Sequence, residues 1–152
     1  MRLNNKTAIV TGGASGFGKG IVEKFIKEGA NVVIADINYD LAKELEDSIG
    51  TNAFAVKVDV SKKNDVDNMI KRSVEHFSEV NILIQNAAIG MKPQPLLETS
   101  EELFDKLFAI NVKSVFLGAI LWRVSARRFR CQVRASATVL VRLILSRIVL
   151  LQ

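Results

Sequence analysis

The sequence predicts an α/β fold built on a doubly wound parallel sheet, and three observations carry that prediction. Short apolar runs rich in β-branched residues alternate with amphipathic stretches of helical length from the N-terminus to Ala88. The first runs are apolar throughout rather than alternating in and out, so both faces of each strand are expected to be covered. A turn with spaced glycines joins the first run to the first helical stretch, as a strand feeding a tightly packed crossover helix requires.

Residues 6–11 form the expected first strand, which ends at Gly12 and Gly13. The chain must then reverse. Gly12 is expected to take backbone angles closed to residues with a side chain, Gly16 to let the main chain approach a pyrophosphate, and Gly18 to let the new helix lie close to the sheet. That helix, expected from Gly16 to Glu28, points its free N–H groups and positive dipole end at the same place, with Ser15 and Phe17 beside them. Residues 31–36 form the second strand and end in Asp36, whose carboxylate suits the hydroxyls of an adenosine ribose. A 2′-phosphate is disfavoured there, and Ala14, Ser15 and Ile37 offer it no cation, so NAD is expected over NADP. Strand, turn, helix, strand and acidic residue fall in order within one unit, which marks a Rossmann-like dinucleotide cradle rather than a chance set of glycines. Residues 54–58 read as the third strand and residues 82–88 as the fourth strand with the segment that ends it, with a helix at 65–77 between them. Thr99, Ser100, Glu101 and Glu102 then supply a cap and an acidic first turn to a long helix that carries Asn111.

On these residues the chain resembles the classical short-chain dehydrogenases/reductases. The turn from Thr11 to Gly18 matches the family's Thr-Gly-x-x-x-Gly-x-Gly. Asp59 and Val60 resemble the acidic residue and neighbour that contact the adenine, and Asn86 and Ala87 match the family's Asn-Asn-Ala-Gly segment in register. Gln85 and Ala88 depart from it, standing where the family has asparagine and glycine. Asn111 falls at the asparagine of the catalytic tetrad. The resemblance covers residues 1 to about 120 and implies a cofactor site made of Gly12, Ser15, Gly16, Phe17, Gly18, Asp36, Ile37, Asp59, Val60, Asn86 and Ala87. Residues 97–100 are similar to those of 3-oxoacyl-carrier-protein reductases and of sugar or polyol dehydrogenases. The family's remaining strands build the substrate pocket, so the sheet here is expected to be truncated, with four clear strands.

Composition divides the chain near residue 122. Residues 1–122 hold twelve lysines, two arginines, ten asparagines and all sixteen acidic residues, whereas residues 123–152 hold seven arginines and none of the other types. The net charge of +5 therefore belongs to the tail. Such a break is what a change of reading frame or a fusion joint would produce. Residues 1–122 are expected to be the NAD-binding portion and 123–152 an arginine-rich tail outside the family pattern. Residues 137–145 are a candidate fifth strand, with Ser146 loosely where a catalytic serine would fall. Arg123, Arg127, Arg130 and Arg134 recur at helical spacing, a stripe suited to nucleic acid or an anionic membrane surface, with a solvated face as the preferred reading. Arg142 and Arg147 interrupt every apolar stretch before it reaches membrane-spanning length. Cys131 is the single cysteine, so no internal disulfide framework exists. The start of the chain resembles no signal peptide, and a cytoplasmic setting is the default expectation.

The family's mechanism, as the resemblance implies it, needs a tyrosine general acid/base, a lysine that lowers its pKa, a serine that polarises the substrate carbonyl, and an asparagine that keeps a relay water. Tyr39 is the one tyrosine, and it stands four residues before Lys43. That spacing is a decoy, because both lie just after Asp36, near the adenosine, where no reacting carbonyl comes within reach. They are expected to be a surface pair one helical turn apart. His76 alone makes no metal site, and it is expected on a solvent-facing or half-buried helix position. Three readings follow: an NAD-dependent oxidoreductase acting on secondary alcohols or ketones, a cofactor-binding portion that is catalytically incomplete as written, or an adaptor acting through its basic tail. Of the tetrad only Asn111 is in place. A homo-oligomer through the long helix is a further expectation from the resemblance.

Overall fold

The computed structural model describes residues 1–128; the candidate fifth strand, Ser146, Cys131, and Arg130 and Arg134 of the arginine stripe lie outside them. Four parallel strands, β1 (Thr7–Thr11), β2 (Asn31–Asp36), β3 (Ala53–Lys57) and β4 (Ile82–Gln85), form one sheet in the order β3-β2-β1-β4. The connecting helices are α1 (Gly16–Lys27), α2 (Tyr39–Ile49) and α3 (Lys63–Phe77). After a single 3-10 turn at Leu96–Glu98 come α4 (Glu101–Phe108), a π-helical turn at Ala109–Lys113, and α5 (Ser114–Arg128). The sheet is the doubly wound parallel one expected.

Side chains alternate across the sheet and build two cores. Val10, Val32, Ile34 and Ala55 pack under α1 and α2 with Val22, Ala42 and Leu45. Ile9, Val33, Ala35 and Val56 pack on the other face with Val66, Met69 and Ile70 of α3, and Leu121 and Trp122 of α5 close that side. All five residues of β1 are buried, as the unbroken apolar run predicts, while all four residues of β4 are half-buried. β4 pairs with β1 on one side, and no other described strand pairs with it.

Helix ends follow local chemistry. The Asn38 side chain accepts from the Leu41 N–H at the start of α2, and Ser100 accepts from the Leu103 N–H at the start of α4, the position expected from sequence. Gly29 (φ 89°), Gly50 (φ 88°) and Ser78 (φ 67°) turn the chain in left-handed conformations after α1, α2 and α3. The residues before α1 lie along its far end: the Arg2 N–H donates to the Glu28 carboxylate (3.0 Å) and the Leu3 N–H to the Glu28 carbonyl (2.9 Å). Together with Lys24 at 2.9 Å, that contact lowers the Glu28 carboxyl from 4.5 to about 2, the lysine hydrogen bond being the larger cause.

Two expectations change. The long helix is not uniform, because the π turn inserts an extra residue at Ala109–Lys113, and this redirects Asn111. Tyr39 and Lys43 do not pair with each other. Lys43 Nζ instead meets Glu46 (2.7 Å) and Asp47 (3.0 Å), and these hydrogen bonds raise its pKa above the usual lysine value. Acidic partners three and four residues on outcompete a neutral phenol at the same distance. His76 is exposed and stacks on Phe54 with ring centres 4.1 Å apart. Among the described residues no helix is long and apolar enough to cross a membrane, and no cluster of three or more metal-ligating side chains occurs.

Candidate cofactor site

The chain leaves β1 for β2 on one side and later places β4 on the other, so a crevice opens at the C-terminal ends of the strands where the order reverses. A cleft of about 340 Å³ occupies that place, lined by Gly12, Ser15, Asp36, Ile37, Asp59, Val60, Asn86 and Ala87 together with Ala35, Val58, Ala88, Ile89 and Ile110. Eight of the sequence-predicted cofactor residues thus converge on one cavity.

The glycine turn is built as its sequence requires. Gly12 (φ 63°) and Gly16 (φ 53°) occupy the left-handed region. A Cβ at Gly16 would meet nothing within 4 Å, so the main chain there faces open space. A Cβ at Gly18 would overlap the Gly12 carbonyl and crowd Asn86 Nδ2, so Gly18 serves close packing of the turn on itself and on the end of β4. Gly13, not singled out in the sequence, has a similar cause: a Cβ there would lie 2.8 Å from the Val10 carbonyl oxygen. Unlike α2 and α4, α1 starts with no side-chain cap and no acidic residue in its first turn. Its positive end is left for an anion. Gly16 and Phe17 line a separate shallow groove with Gly20, Ile21, Lys24 and Phe25, and Phe17 is 91% exposed.

Asp36 is buried at the end of β2. Its Oδ2 accepts from the Ala14 N–H (3.0 Å) and its Oδ1 from the Asn38 N–H (3.0 Å), so it braces the glycine turn while still lining the cleft. A carboxylate has acceptor sites beyond these two. Asp59 sits just beyond β3. The Ser61 hydroxyl (2.6 Å) and N–H (3.1 Å) donate to its Oδ1, and Lys62 lies 3.4 Å from Oδ2. The Ser61 hydroxyl above all, with the Ser61 amide and Lys62, holds the Asp59 carboxyl below its usual range, against the opposing effect of burial.

On the other side of β1, Asn86 Nδ2 donates to the Thr11 and Gly12 carbonyls (3.1 Å each), and the Ala87 N–H donates to Thr11 Oγ1 (3.1 Å). Thr11 is therefore the joint between the glycine turn and the fourth strand. Ala88, which departs from the family's glycine, lines the cleft without a positive φ, so its methyl group meets no backbone penalty. Asn111 does not line the cleft; its neighbour Ile110 does. From the π turn its amide makes two bonds to one residue, accepting from the Ile89 N–H (2.9 Å) and donating to the Ile89 carbonyl (2.8 Å). The apolar lining residues carry no signal in sequence, because an alanine or isoleucine beside a strand end looks like core until the strands are arranged.

A buried carboxylate for a ribose, glycines without clashing side chains and an uncapped helix terminus for phosphates suit a dinucleotide. The family model for short chain dehydrogenases matches residues 6–122. The chain is 37% identical over 119 residues to a 3beta-hydroxysteroid dehydrogenase 2 of Eggerthella lenta, covering 76% of this chain and 46% of that protein. It is 42% identical over 113 residues to a galactitol 2-dehydrogenase of Agrobacterium fabrum, covering 74% and 44%. Among solved structures, a 3-ketoacyl-(acyl-carrier-protein) reductase from Brucella melitensis complexed with NADH superposes with a TM-score of 0.76 at 41% identity, covering 78% of this chain and 49% of that one. The chain thus spans about half the length of the relatives it matches. By sequence and by fold, this chain belongs to the short-chain dehydrogenase family.

Proposed function

We propose that residues 1–122 are the NAD-binding portion of an oxidoreductase acting on secondary alcohols or ketones, and that the tail from residue 123 takes no part in binding the cofactor. The observation that carries this reading is the convergence of Gly12, Asp36, Asp59 and Asn86 on one cleft at the strand ends. Bound there, the nicotinamide would take or give the hydride. Asp36 would hold the adenosine ribose, Asp59 and Val60 the adenine, and the open turn at Gly12, Ser15, Gly16, Phe17 and Gly18 the pyrophosphate. Asn86 and Ala87 would border the nicotinamide side. What favours NAD over NADP is the buried carboxylate of Asp36 with Ile37 beside it, since a 2′-phosphate would meet a negative charge there and no cation among the described residues that line the cleft. The division near residue 122 is supported by the end of the family match there.

Asn111 is proposed as the tetrad asparagine, fixing the loop after β4 through Ile89. The tyrosine, lysine and serine of the family mechanism have no counterpart at the cleft among the described residues: Tyr39 and Lys43 lie on α2, and Lys43 is held by acids. The cofactor is therefore expected to bind without turnover by the chain as given. Cytoplasmic location and isologous pairing through α4 and α5, where Phe104 and Phe108 stack on the exposed surface, belong to the same proposal.

Thermal denaturation with NAD and with NADP tests it. NAD should raise the melting temperature by mass action, NADP less, and Asp36→Ala should remove the NAD effect. No shift at millimolar NAD rejects the reading. Formation of reduced nicotinamide with a panel of secondary alcohols would overturn the claim of binding without turnover.

A further inference from the structure

Gly118 stands in the interior of α5, where glycine is the poorest helix former after proline. Its φ is not positive, so backbone conformation does not require it. Space does. A Cβ at Gly118 would overlap Gln85 Oε1 and stand 2.9 Å from Gln85 Cδ. The terminal amide of Gln85 thus lies directly on the helix backbone, beside a void barely large enough for one water, lined also by Thr11, Val60, Val66, Met69, Leu83 and Ser114.

The next residue goes the other way. Asn86 reaches the Thr11 and Gly12 carbonyls, and a Cβ at Gly12 or Gly18 would come within 3.1 Å or 2.7 Å of its Nδ2. The C-terminal end of β4 is therefore gripped between glycines on both faces, Gly12 and Gly18 against Asn86 and Gly118 against Gln85. The void beside Gln85 and Gly118 shares only Val60 with the residues that line the cleft, while Gln85 immediately precedes Asn86 and Ala87, which do line it.

We propose that Gln85 is a positioning residue: its amide, seated on Gly118, sets the spacing between β4 and α5 and so holds Asn86 and Ala87 against the Thr11–Gly12 turn. This rests on the reading that the cleft binds NAD. In the intact chain, Gly118→Ala pushes the Gln85 amide aside and is expected to weaken NAD binding about tenfold, the size of a coupling between packed neighbours. Gln85→Asn withdraws the amide by one methylene, so Gln85→Asn with Gly118→Ala together should regain most of that affinity. The Asn86 side-chain amide resonances of the free protein should move in Gly118→Ala and return in the double variant. NAD affinity unchanged within twofold in a folded Gly118→Ala protein, or no recovery in the double variant, overturns the proposal. Should Gly118→Ala fail to fold, Gln85→Ala opens a gap above Gly118 and should weaken NAD and shift the Asn86 resonances; if neither changes, the proposal fails. Should the unaltered chain bind no NAD in calorimetry, the dinucleotide reading fails, and the Asn86 resonances of the free variants still decide whether Gln85 positions the strand end.

Discussion

The two ends of the cleft are held by different means. On the Asp36 side, the glycine turn and the end of β2 belong to one continuous strand-helix-strand unit, β1 is fully buried, and the bond from Ala14 to Asp36 spans 22 residues. On the Asn86 side, β4 is half-buried, and the bonds that seat it run from Asn86 and Ala87 back to Thr11 and Gly12, over 74 to 76 residues, and from Asn111 to Ile89. The first side is expected to form with the core. The second depends on side-chain amides that bridge separate parts of the chain, so it can loosen while the rest stays folded.

That contrast yields predictions that would break or sharpen it. The largest effect is expected on the first side. Gly18→Ala drives a methyl group into the Gly12 carbonyl, which cannot rotate away as a side chain can, and should cost about 3 kcal/mol in urea unfolding and abolish NAD binding. If it is neutral, the turn is not packed as described.

Asn111→Ala leaves the Ile89 N–H and carbonyl without their partner and should cost about 2 kcal/mol. Amide exchange should quicken in residues 86–90 with little change in β1 and β2; uniform quickening would erase the distinction between the two sides. Ser100→Ala, which removes the cap of α4 together with the Ser100 hydrogen bond to the Glu102 carboxylate, should cost about 1 kcal/mol and leave NAD affinity unaltered.

The smallest effect lies far from the cleft. Glu28 is ionised at lower pH in the folded chain than in the unfolded one, so its contribution is full above about 4.5 and fades as pH falls through about 2. The melting-temperature gap between the unaltered chain and Glu28→Gln should shrink across that window and shrink further with added salt, because the Lys24 partner is solvent-exposed. A gap that grows on acidification would reverse the assigned cause.

The sequence was most legible where short-range rules apply. The span of β2, the start of α1, the cap at Ser100 and the positive φ of Gly12 follow from apolar period, capping chemistry and glycine stereochemistry, each set by residues close in the chain. It was least legible where a side chain's role depends on a distant partner. Tyr39 and Lys43 have the spacing of a catalytic pair, yet the fold sets them on an outer helix and turns the lysine to acids of its own turn. Asn111 shows no hint in its neighbours of the π turn that aims it at Ile89.

Residue order alone therefore determined the four strands, the helices that join them, the dinucleotide turn and the acidic residue that closes β2, because backbone preference and burial period are local quantities. Tertiary structure decided that Asp36 also braces Ala14, that Thr11 joins the turn to the fourth strand, and that Gln85 rests on Gly118. Those contacts exist only once β1 lies between β2 and β4, since a hydrogen bond or a steric limit acts over a few ångströms whatever the separation along the chain.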